Sequence, residues 1–70
     1  MQRFKKKSDV IVGSRIIFDN MTSYIKNLPM VRMIGDVVEI EVEGDMVVVN
    51  LNIAGREEVV PVRLPYYLLQ

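Results

Sequence analysis

The chain contains no cysteine, so it forms no disulfide and offers no thiolate, and its composition is silent about redox compartment. Histidine is absent too, which removes the commonest general base and the commonest transition-metal ligand. Long apolar runs are missing: the longest reach four residues, as in Met46-Val47-Val48-Val49. Neither a transmembrane helix nor the core of a signal peptide fits such runs. A soluble cytoplasmic protein with no membrane partner is therefore expected. An excess of one charge is also lacking, since nine Lys and Arg balance nine Asp and Glu. The balance is uneven along the chain. Residues 1–26 carry Arg3, Lys5, Lys6, Lys7, Arg15 and Lys26 against Asp9 and Asp19. Residues 27–70 carry seven acids against Arg32, Arg56 and Arg63.

What is present is apolar. Half of the 70 residues are hydrophobic, and Val is the largest share. A chain of this length makes one small domain, with too little interior to hide that many apolar side chains. Some must lie on the surface or between subunits, so a homo-oligomer is expected.

Two Gly-Asp pairs punctuate the β-branched stretches. Gly35-Asp36 separates Met30–Ile34 from Val37–Glu43, and Gly44-Asp45 separates the latter from Met46–Ala54. Gly at the centre of a two-residue loop suits a type II′ hairpin turn. Read this way, strands span about 30–34, 37–43, 46–54 and 58–64, with Gly55-Arg56-Glu57-Glu58 as the third connection. One face then collects Val31, Met33, Val38, Ile40, Val42, Val47, Val49, Leu51, Val60, Val62 and Leu64, because side chains alternate along a strand. Pro61 lacks an N–H and belongs on an edge strand. Arg32 beside Glu39, and Glu41 near Arg63, are favourable neighbours on the other face.

Upstream, Ile17, Met21, Tyr24, Ile25 and Leu28 recur at helical spacing, Ser14 suits an N-cap, and Pro29 ends the segment. A helix over about 15–28 is predicted, with an optional short strand at 10–12 before it. The expected fold class is α+β: one N-terminal helix packed on a four-stranded antiparallel β-meander. Residues 1–8 form a flexible basic arm, 9–65 the single domain and 66–70 an apolar C-terminal tail. A helix followed by a strongly bent meander resembles the small SH3/Sm-like barrels in architecture. No Sm-type signature accompanies the resemblance, which implies the curl of a small barrel and carries no function.

Catalytic, cofactor-binding and metal-ligating residues are not identified. Glu39, Glu41, Glu43 and Asp45, near Asp36 and the Glu57-Glu58 pair, fit the polar half of an amphipathic strand better than a hard-cation or acid–base site. Val12-Gly13-Ser14-Arg15 resembles an anion-holding strand-to-helix turn but lacks the glycine spacing of phosphate-binding loops. The expected function is a small non-enzymatic interaction or assembly module that self-associates or docks a protein partner. The candidate surface is the apolar corner Ile34, Val37 and Val59, joined by Tyr66, Tyr67, Leu68 and Leu69 of the tail. Those tail residues either close the core or reach another chain. The alternative is a nucleic-acid-binding or regulatory protein using Arg3, Phe4, Lys5, Lys6 and Lys7, with cations for phosphates and a ring for stacking. The acidic sheet disfavours it.

Overall fold

The computed structural model describes residues 3–53 and 58–70. Four antiparallel strands form one sheet in the order β1-β2-β3-β4: Arg15–Asp19, Arg32–Ile40, Met46–Asn52 and Val59–Pro65. Two single-turn 3-10 helices, Lys7–Asp9 and Tyr66–Leu68, flank the sheet. After Tyr66–Leu68 the chain crosses from β4 to the far edge of the sheet. Leu69 bridges Phe18, while Ile17 and Gln70 exchange backbone bonds of 2.9 Å. The two ends of the strand order are thus drawn together, and the inner face closes over a core of eleven buried hydrophobics among the described residues, from Val10 to Leu69.

The predicted helix over 15–28 is not formed; the described residues hold no helix longer than three residues. The α+β class is corrected to a mostly β domain. Residues 15–19 are strand because Ile16 and Phe18 alternate inward, and β-branched and aromatic side chains suit a pleated surface. Both edges of β1 are paired, to β2 and to Leu69–Gln70. Residues 20–31 form a long loop organised by Asn20, whose side chain is fully buried. Its Nδ2 donates to the carbonyls of Ile25, Leu28 and Pro29 at 3.0, 3.3 and 2.9 Å. Its Oδ1 accepts from the Ile25 amide at 2.9 Å. A helix over this stretch would have satisfied the same backbone groups internally. Here one amide side chain does so, and it frees Met21 and Tyr24 to sit on the surface.

The predicted turn at Gly35-Asp36 is also corrected. Both residues lie inside β2, where Gly35 pairs with Ile16 on one side and Leu51 on the other. Glycine is needed there for closeness: a Cβ would stand 2.5 Å from the Asn50 carbonyl oxygen and 2.9 Å from Leu51 Cδ2. The two short strands therefore merge into one, with a bulge between Val37 and Glu39. Plain alternation along β2 carries Met33, Gly35 and Val37 inward and leaves Val38 exposed; the bulge then shifts the pattern, so that Ile40 and not Glu39 is the next half-buried residue. Gly44 does turn the chain, at φ +74°, but the Glu41 amide bonds the Met46 carbonyl at 3.2 Å, so four residues and not two make the loop. Ile40 accordingly faces Val47 instead of Val49.

Along β3 and β4 the expected faces hold. Val47, Val49, Leu51 and Leu64 are buried, Val60 and Val62 are half-buried, and Val47, Val49 and Leu51 face Leu64, Val62 and Val60. Val31 and Val42, assigned to that face, are exposed. The optional strand at 10–12 is absent; Val10 enters the core while Ile11 and Val12 lie outside in a turn. Part of the third connection, residues 55–57, lies outside the described residues.

Candidate functional site

With the inner face consumed by the core, the outer face of the sheet and its loops carry what is left. Alternation puts Arg15, Ile17 and Asp19 of β1 and Arg32, Ile34 and Asp36 of β2 outward. Their register makes three cross-strand rows: Arg15 opposite Asp36, Ile17 opposite Ile34, and Asp19 opposite Arg32. The middle row continues through Asn52 to Val59. Ile34 and Val59 are each about half exposed, at 49% and 51%. Apolar contact surface is thus bordered by charge on both sides.

The two charged rows are loose pairs. Arg15 Nε stands 3.9 Å from Asp36 Oδ1, and Arg32 Nε stands 3.6 Å from Asp19 Oδ2. Asp19 Oδ1 also accepts from the Met21 amide at 2.9 Å. Long pairs of this kind contribute little to stability; both guanidiniums and the Asp36 carboxylate are exposed, whereas the Asp19 side chain is largely covered. Arg32 is therefore matched with Asp19 and not, as the meander implied, with Glu39, which stands opposite Val48. The expected neighbours Glu41 and Arg63 do meet, through a two-pronged contact: Nε donates to Oε2, and Nη2 donates to Oε1 at 2.8 Å. The Arg63 hydrogen bonds hold the Glu41 carboxyl below its ordinary value of 4.5 and raise the Arg63 guanidinium, with Lys7 a weaker influence on Glu41.

A second surface lies where the 20–31 loop meets the second 3-10 turn. Arg3, Asp19, Met21, Thr22, Tyr24 and Leu68 line a cleft of about 230 Å³. That is below the roughly 300 Å³ at which small-molecule pockets begin, so it suits a single side chain. Phe18 forms its floor, and its ring meets Tyr24 edge-on at 6.3 Å.

The residues expected to form an interaction surface divide. Ile34 and Val59 share the outer row. Val37 is buried on the inner face and presents no surface. Leu69 is fully buried and paired with Phe18. Tyr66 is half-buried, stacks edge-on with Tyr67 at 5.6 Å, and donates its amide to the Asp45 carbonyl at 2.8 Å. Tyr67 stays half exposed and Leu68 joins the cleft. The N-terminal residues are laid on the domain. Phe4 packs against the core and donates its amide to the Leu69 carbonyl at 3.4 Å, which withdraws its ring from stacking on a base. Lys7 Nζ donates to the Val42 carbonyl at 3.1 Å, Arg3 borders the cleft, and Lys5 and Lys6 are exposed.

The anion turn at Gly13-Ser14 has no helix behind it, and its amides bond the carbonyls of Val37 and Ile11. Among the described residues no three acidic side chains gather into a metal-binding group, and no helix is long and apolar enough to cross a membrane. The charged rows exist only with residues 15–19 as a strand; a helix over 15–28 would set Arg15 and Asp19 apart from β2. The signal was there, in the alternation of Arg15, Ile17 and Asp19 with Ile16 and Phe18. No family model, curated protein or solved structure matches the chain.

Proposed function

We propose that this chain is a small non-enzymatic interaction module of the cytoplasm whose exposed apolar side chains are covered by protein, first by copies of itself. One observation carries the reading. Among the described residues, eleven large hydrophobics are exposed, as many as fill the core. Val42 is 96% exposed, and Ile11, Met30 and Val12 each exceed half. Scattered single hydrophobics are normal on a monomer, but as many large hydrophobics on the surface as in the core supports their being covered by protein. The residue types add to this, since no histidine or cysteine stands near the cleft or the sheet face to supply chemistry. Sedimentation velocity from about 10 µM to about 1 mM, spanning affinities of roughly −7 to −4 kcal/mol, tests it. A mean mass that rises above 8.1 kDa with concentration is expected. An unchanged monomer mass over the whole range overturns the reading.

A further inference from the structure

Each charged row on the outer face of β1 and β2 carries one cation and one anion, and the order reverses between the rows. Arg15 and Arg32 therefore occupy one diagonal of a rectangle, and Asp36 and Asp19 the other, with Ile17 and Ile34 across its middle. We infer that this face pairs with the same face of a second copy about a two-fold axis lying between the two sheets. The inference rests on the self-association reading and names its surface and its geometry.

The argument is one of symmetry. A closed homodimer uses the same patch twice, so the patch must complement itself. If the axis runs along the strands, Arg15 meets the second copy's Asp36, Asp19 meets its Arg32, and Ile17 meets its Ile34. If the axis runs across the strands, Arg15 meets the second copy's Asp19, Arg32 meets its Asp36, and each isoleucine meets itself. Opposite charges face each other in both cases. Placing like charges along one row or one strand would instead set like charges together about one of the two axes, which opposes association. Sheets packed face to face lie about 10 Å apart with strands nearly aligned, close enough for isoleucines to touch and for Arg and Asp to reach across. The intrachain pairs are long, 3.6 and 3.9 Å; the half-exposed Asp36 is open to a second guanidinium, while Asp19, 25% exposed and bonded to the Met21 amide, offers Oδ2 alone. The apolar centre is Ile17 and Ile34, continued past the polar Asn52 to Val59, and the charged rows rim it along β1 and β2, the usual interface anatomy. Three rows and four strands span roughly 14 by 14 Å, which is small beside the roughly 800 Å² per partner of a standard interface. The dimer is accordingly a weak one, formed at high micromolar concentration.

Two variants of the full chain test the pairing by sedimentation equilibrium up to about 1 mM, with far-UV circular dichroism confirming that each is folded. Ile34→Lys places a charge at the centre of the face, on a side chain already 49% exposed. It is expected to weaken self-association at least tenfold. Arg15→Asp with Asp36→Arg keeps the intrachain pair but reverses one row. Labelled and mixed with the parent chain, it is expected to form the mixed dimer at least tenfold more weakly than the parent forms its own. If the parent associates but either variant matches it, this face or its charge register is wrong while self-association stands. If the parent stays monomeric throughout, both readings fall.

Discussion

Replacing Asn20 with alanine removes the side chain that holds the 20–31 loop in place, and its cost can be worked from the structure. The side chain is fully buried; its two Nδ2 hydrogens are shared among the carbonyls of Ile25, Leu28 and Pro29, and its Oδ1 accepts from the Ile25 amide, equivalent to three full hydrogen bonds. Each such bond contributes about 1 kcal/mol net, and a buried group stripped of its partner costs about 1–3 kcal/mol. Water entering the opened loop recovers part of this, leaving a loss of about 2–4 kcal/mol for Asn20→Ala. A domain of this length has about 3.5–10 kcal/mol in total, so the substitution removes a large share. At about 4–8 °C per kcal/mol, the midpoint of thermal unfolding should drop by roughly 8–32 °C.

Asn20→Asp separates hydrogen bonding from shape. The carboxylate still accepts from Ile25 but faces three carbonyl oxygens with nothing to donate. Burial among acceptors raises its folded pKa above the unfolded value of about 3.9. A raised folded pKa means the stability is fully present below the unfolded pKa and is lost as pH rises through the folded one. This variant should therefore approach the parent in acid and fall behind it toward neutral pH. Urea unfolding followed by circular dichroism at several pH values reads both effects. A loss under about 1 kcal/mol for Asn20→Ala, or two variants equally stable at every pH, would refute this account of the loop.

Three further outcomes follow from the packing and the outer face. Gly35→Ala should cost at least about 1–3 kcal/mol, because the added Cβ would stand 2.5 Å from the Asn50 carbonyl oxygen and force β3 off β2; calorimetry checks it. Leu69→Ala should cost about 2–5 kcal/mol in denaturant unfolding, since Leu69 is fully buried, whereas Tyr67→Ser, on a half-exposed ring, should cost far less. The Glu41 carboxyl should titrate below 4.5 by NMR and return toward it in Arg63→Gln. The sign follows from its depressed folded pKa: the pair's contribution is present above 4.5 and is lost as pH falls below it.

How much of this was legible in the chain depends on which residue spoke for each element. Along β3 and β4, strict alternation of Val47, Val49 and Leu51 with polar or partly exposed neighbours was enough to assign the core face. Gly35 was ambiguous because glycine serves turns and close strand approaches alike, and the clash that decides between them involves Asn50, fifteen positions on. Residues 15–19 were ambiguous too: Ile16, Ile17 and Phe18 are contiguous, so a strand period and a helix period both find apolar matches. Asn20 tipped the balance through bonds to residues 25–29 that no local pattern announces. The candidate surface was legible only at Ile34 and Val59, whose exposure follows from β2 and β4. Its charged border needed β1 as a strand before Arg15 and Asp36 could be seen to face each other.

The most direct test of self-association through the outer sheet face is a pair of amide NMR spectra, recorded at about 0.05 mM and about 1 mM. Concentration-dependent shifts centred on residues 15–19 and 32–36, with Asn52 and Val59 at their margin, are predicted. Shifts confined to the 20–31 loop and the Tyr66–Leu68 turn, or no shifts at all, would contradict it.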